Sequence, residues 1–449
     1  MQTIADFPFF PLQYDGDGKP TTDAEFSALE QHVSTGASTD VIFIAHGFRN
    51  SALDATGLYT RFFESLRQQR QRPEFLTLAS RTYAVAGILW PSKSFKETDD
   101  TDDGTVQSVG DDDAAQADAA AASIRDARDT IANADQRKKL NRALALLPTI
   151  KGNAVAQREL VGLVLSLTDD VSLDPTEGLD ELRARDGADV LTILSDPIIL
   201  PTVRATADEG GVMAMRGGTS FAGDDGAVLG FRSFVGGLFG AVGKLLNVTT
   251  WYAMKSRGGT VGANGVADAV RRLKGLPNAP KVHLVGHSLG GRLMASCAKS
   301  LSSPLVQPDS LTLLEAAFSH YGFSAQGPSN PEGFFRPVIT AHVVTGPTIA
   351  TFSAKDTVVG LNYAVASRLA GDNTKAIGDA NDQFGGIGRN GAQKCDVAVV
   401  DVLHRAGTAY QLPLGKVVCL DGSDGLINDH SDVTNEHVTY AFASALMVT

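Results

Sequence analysis

The stretch KVHLVGHSLGGRLMASCAKSL, residues 281–301, changes its periodicity halfway along. Lys281–Val285 is a short apolar, β-branched run of the kind that forms a buried strand. From Leu289 to Leu301 the apolar residues recur at helical spacing. Between the two halves, Gly286-His287-Ser288-Leu289-Gly290 matches the pattern G-x-S-x-G. In a chain with 46 glycines a bare match means little. Its place at a strand-to-helix junction gives it weight, because such a turn strains the serine backbone and lifts the hydroxyl above the sheet edge. Glycine is expected at 286 and 290, where neighbouring backbone passes too close for a Cβ.

Similar apolar runs lie to either side. Val41–Ala45, Tyr83–Trp90, Leu311–Leu314, Thr348–Phe352 and Lys416–Leu420 read as strands. Leu58–Gln69, Val266–Lys274 and Val433–Met447 read as helices. Strands alternating with helices predict an α/β protein with a mainly parallel, doubly wound sheet. The alternation fails between Pro91 and about Trp251. Lys96–Asp113 carries Asp99, Asp100, Asp102, Asp103, Asp111, Asp112 and Asp113 without calcium-loop spacing, and reads as a solvated loop. Ala114–Leu147 reads as one long Ala-rich helix, followed by helices over Ala154–Leu167 and Thr176–Leu194. The division predicted is 1–91 and 251–449 as two parts of one core, with 92–250 a mostly helical insertion placed as a cap or lid. Near its end Phe231, Phe234, Val235, Leu238, Phe239, Val242, Leu245 and Leu246 fall partly at helical spacing, among glycines that weaken a helix. That suits either a mobile apolar wall over the site or the core of a fixed accessory subdomain.

A serine hydroxyl needs a base, and the base needs an orienting acid. On an elbow of this kind the acid and then the histidine follow the serine along the chain. His32, His46, His283 and His287 precede Ser288, and His320 and His342 come too early to follow both a further strand and an acid. His404 lies before the last predicted strand and His437 inside the last predicted helix. His430, in the loop between them, is the expected base. Asp356, turning off the Thr348–Phe352 strand, is the expected acid, with Glu315 at the end of LTLLE as the alternative. Backbone N–H groups of Leu289 and of Phe48, after His46-Gly47, are the expected donors to an oxyanion. His46, Gly47 and His287 are given supporting roles.

These pieces, HGF at 46–48, GHSLG at 286–290, SAKD at 353–356 and DHSD at 429–432, resemble the α/β-hydrolase superfamily on its lipase and esterase side. The resemblance covers about 36–91 and 251–449 and implies a serine hydrolase that cleaves carboxylic esters, small or lipid-like, through an acyl-enzyme. An acyltransferase, thioesterase or amidase would use the same groups, and a catalytically dead binding module on the same fold is the non-enzyme alternative. No metal or other cofactor is called for, since the base activates the nucleophile.

Composition narrows the classes further. The formal net charge of −12 and the absence of a Lys/Arg cluster argue against nucleic acid as partner. The three cysteines, Cys297, Cys395 and Cys419, form no zinc spacing. Neither a secretory leader nor a charge-free membrane span is seen, so the expectation is a cytoplasmic protein, with export by a signal-independent route left open.

Overall fold

The structure is a computed structural model and describes residues 2–92, 113–196, 237–327, 332–371 and 379–449. Its strands are β1 (Gln2–Ile4), β2 (Phe7–Gln13), β3 (Asp40–Ala45), β4 (Tyr83–Leu89), β5 (Lys281–His287), β6 (Ser310–Leu314), β7 (Thr348–Phe352), β8 (Ala398–Val402) and β9 (Val417–Asp421). They form one nine-stranded sheet in the order β1-β2-β4-β3-β5-β6-β7-β9-β8. Only β1 runs antiparallel to its neighbour. The sheet is therefore α/β and mostly parallel, as the alternation predicted.

Alternate residues of a strand face opposite sides, and here both sides are buried. Val41, Phe43 and Ala45 of β3 face a core shared with the helices Leu238–Thr260 and Leu289–Ser300. Ile42 and Ile44 face a second core, closed by the helices Ala52–Gln69 and Glu436–Met447. A strand buried on both sides explains the unbroken apolar run VIFIA. From β3 the chain proceeds one way to β4; from β5 it proceeds the other way to β6 and β7. The crevice outside the carboxyl ends of β3 and β5 is thus a topological switch point, the usual ligand position in an open parallel sheet. Ala45 pairs with Gly286 and His287 with Leu314, which levels the segments following β3, β5 and β6 at that edge.

The insertion leaves the sheet at the same edge, after β4, and its described part is helical. Two of its predicted helices are broken. The Ala-rich one ends at Thr130 and restarts at Ala134, because Asn133 caps Asp135 and Gln136 N–H while the Gln136 side chain reaches back to Asn133 N–H. The one expected over Thr176–Leu194 is a short turn (Pro175–Glu177) and two helices, Leu179–Ala184 and Gly187–Ser195, the second capped by Asp186. The predicted boundary at 250 falls inside the continuous helix Leu238–Thr260, in which Phe239, Val242, Leu245 and Leu246 are buried. Tertiary burial overrides the weak propensity of Gly240 and Gly243 there. Phe231, Phe234, Val235 and the acidic segment 99–112 lie outside the described residues.

One ionic cluster seats the insertion on the sheet domain. Glu177 is buried, and its carboxylate faces Lys255 Nζ, Arg292 Nη1 at 3.2 Å and the Tyr363 hydroxyl at 2.5 Å. Its Oε1 also accepts the Ser319 N–H at 3.2 Å. Among the described residues no helix is long and apolar enough to cross a membrane.

Candidate active site

β5 ends at His287, and the next helix begins at Leu289. Ser288, alone between them, has φ 57° and ψ −125°. A side chain at positive φ is strained and persists only where its surroundings over-determine it. Here the Ser288 N–H donates to Leu314 O at 3.0 Å, and its carbonyl accepts from Gly291 and Ala317 N–H, both at 2.9 Å. The flanking glycines have the expected reason: a Cβ at 286 would lie 2.2 Å from Gly290 O, and one at 290 would lie 2.3 Å from Ala45 O.

Asp356 follows β7 and starts the helix Thr357–Leu369. Both carboxylate oxygens are used: Oδ1 accepts the Val359 N–H at 2.9 Å, and Oδ2 bonds His430 Nδ1 at 2.8 Å. Asp356 is fully buried and His430 nearly so. Asp429 and Asp432 do not satisfy His430; they hold its own loop, accepting from Ser431 and Asn428 N–H. His287 completes the link to the elbow. Its Nε2–H donates to His430 O at 2.8 Å, with the two rings 4.8 Å apart. Burial, reinforced by the neighbouring His430, pushes the His287 pKa down to about 3, so its ring is a neutral strut. Ser288 Oγ makes no hydrogen bond among the described residues; such bonds commonly tighten only when substrate is bound.

The loop after β3 closes the other side. A Cβ on Gly47 would lie 2.7 Å from Ser288 Cβ and 3.1 Å from its Oγ. The N–H groups of Phe48 and Leu289 have no partner among the described residues, as oxyanion donors require. His46 braces this loop. Its ring stacks on Trp90 at 5.7 Å, Trp90 Nε1 donates to His46 O at 3.0 Å, and the His46 N–H donates to the Tyr59 hydroxyl at 3.0 Å. Burial lowers its pKa to about 4, which suits a brace rather than a base. Gly47→Ala is therefore expected to lower Ser288 reactivity at least about tenfold, by pushing the donor loop outward. A fluorophosphonate labelling rate measures this, and an unchanged rate would show that the loop can yield.

Glu315, the alternative acid, follows β6 at φ 45° and is fully buried. It does not bond His430, although Glu315, Asp356 and His430 gather with one polar atom from each within 4.8 Å of the others. Such a trio could hold a cation, but Asp356 Oδ2 and His430 Nδ1 are directed at each other. The remaining late histidines lie elsewhere. His437 Nδ1 accepts the Ala406 N–H at 3.1 Å, and His404 faces Asp401 beside the edge strand β8.

Arg389 was not foreseen in the sequence. It is buried, donates from Nη1 to the carbonyls of Ala354 and Asp356, and so clamps the turn that presents the acid. Comparison with protein-family models, curated proteins and solved structures found no match to this chain.

Proposed function

We propose that this chain is a serine hydrolase of α/β-hydrolase fold that cleaves carboxylic esters through an acyl-enzyme on Ser288. The observation carrying the reading is the buried 2.8 Å bond between His430 Nδ1 and Asp356 Oδ2, tied through the His430 carbonyl to His287, the neighbour of a serine at φ 57°. That bond fixes the imidazole with Nδ1 protonated and leaves Nε2 as the basic nitrogen. Ser288 Oγ attacks the acyl carbon and passes its proton to Nε2. The oxyanion is received by the free N–H groups of Leu289 and Phe48, where one such donor is typically worth about 3–4 kcal/mol. Nε2 returns the proton to the departing alkoxide, and water then releases the acyl group by the same steps.

The test uses a tagged fluorophosphonate and a chain-length series of nitrophenyl esters. The expected result is one stoichiometric adduct on Ser288 and turnover of at least some of the esters. An intact, folded protein that neither labels nor hydrolyses any ester overturns the reading.

A further inference from the structure

β6 and β7 are adjacent, with Leu314 paired to Thr351. The residues just past their ends therefore converge. Glu315 arrives from one strand and Asp356 from the other, both without solvent exposure. Asp356 is fully engaged, whereas among the described residues neither carboxyl oxygen of Glu315 lies in hydrogen-bond geometry with a partner, Asp356 being its nearest acidic neighbour. A buried, unpartnered carboxyl costs free energy that an apolar residue would not. The position is nonetheless tightly specified: Glu315 has positive φ, donates its N–H to Thr351 Oγ1 at 3.3 Å, and is met by Gly388, where a Cβ would lie 2.4 Å from the Glu315 carbonyl carbon.

We propose that Glu315 is a second acid of this site, a positioning residue placed to receive the His430 Nδ1–H when residue 356 carries no carboxylate. This rests on the reading of Ser288 as nucleophile. The electrostatics agree with the geometry. Burial first, then Asp356, Asp429 and Asp432, hold the Glu315 carboxyl protonated well above the usual carboxylate range. The cationic groups of this neighbourhood are His430, when protonated, and Arg389. Two carboxyls this close oppose a second ionisation, and Glu315 is the one held neutral. With Asp356 present, the charge sits on the acid already bonded to His430. With asparagine there, the Asp356 charge no longer opposes ionisation of Glu315; burial, Asp429 and Asp432 still do, and the imidazolium that forms on His430 during the reaction works against them. Glu315 can then release its proton to solvent and accept the imidazole N–H from within the same 4.8 Å cluster.

The experiment is a double-mutant cycle read by the labelling rate of Ser288 with the fluorophosphonate, alongside thermal melts of every variant. Asp356→Asn is expected to retain more reactivity than the loss of about ten-thousandfold typical of an acid with no substitute. Glu315→Gln, which keeps the shape and a neutral donor, should cost up to about fivefold with Asp356 present and at least about fiftyfold in the Asp356→Asn background. Restoring a carboxylate as Glu315→Asp in that same background should recover part of the loss, which a purely structural role would not produce. Equal factors for Glu315→Gln in both backgrounds overturn the proposal while leaving Ser288 as the nucleophile. Failure of the wild-type chain to label overturns the hydrolase reading and this inference together.

Discussion

Ser288→Ala is expected to abolish ester hydrolysis, by at least about a thousandfold, and to leave the melting temperature within a few degrees of wild type. The large loss follows because no other hydroxyl occupies the strained turn between β5 and its helix. The small effect on stability follows because Ser288 Oγ supports nothing in the fold, having no hydrogen bond among the described residues. Alanine at φ 57° carries the same backbone strain as serine. His430→Ala should cost about as much, since nucleophile, base and acid act as one unit and their losses do not add. His437→Ala and His404→Ala should each keep turnover within a few-fold, as neither approaches the elbow. Purified variants compared on one nitrophenyl ester decide the matter. Near-normal turnover by His430→Ala, with loss in His437→Ala, would reassign the base.

What could be read in the sequence followed the range of each interaction. Ser288 was legible because the signals around it are local: a β-branched run, two glycines forced by close backbone, and a switch to helical spacing. His430 and Asp356 were legible at one remove, through their order along the chain and the strands they follow. β1 and β2 were missed, since FPFFPLQ carries two prolines and prolines argue against an interior strand. β8 was missed because it is an edge strand with Val400 and Val402 about half exposed, at 53% and 50%. The break at Asn133 did have a local signal, Asn followed three residues later by Gln, which the high helix propensity of the alanines around it obscured. Arg389 and Glu177 had none. Each takes its role from groups far away in sequence, which only the folded chain brings together.

Glu177 carries the second large expected effect, this time on stability. One buried carboxylate lies between two buried cations, Lys255 and Arg292, and takes a third hydrogen bond from Tyr363. Burial alone would oppose its ionisation, but Lys255 and Arg292 outweigh burial and hold its pKa below the usual range. Glu177→Gln keeps the shape but leaves the Arg292 guanidinium without its countercharge, and removes the carboxylate that favours the charged form of Lys255, whose pKa burial already pushes down to about 7. Breaking a buried ion pair from one side typically costs about 3–5 kcal/mol, so a clear fall in the urea midpoint at about pH 7 is expected. Lys255→Met should cost less, since Glu177 then still faces Arg292. The pH dependence has a definite sign. A carboxylate with a depressed folded pKa stabilises above the ordinary carboxylate range, and that stability is lost as pH falls through the folded value. The acid limb of the stability profile should therefore be shallower in Glu177→Gln than in wild type. Arg292 lies one turn into the helix that starts beside Ser288, and Tyr363 lies in the helix capped by Asp356. Loss of the clamp should thus lower Ser288 reactivity at temperatures where the sheet is still folded. If the urea midpoint of Glu177→Gln matches wild type, the cluster does not hold the insertion in place, and the coupling between that insertion and the site must be sought elsewhere.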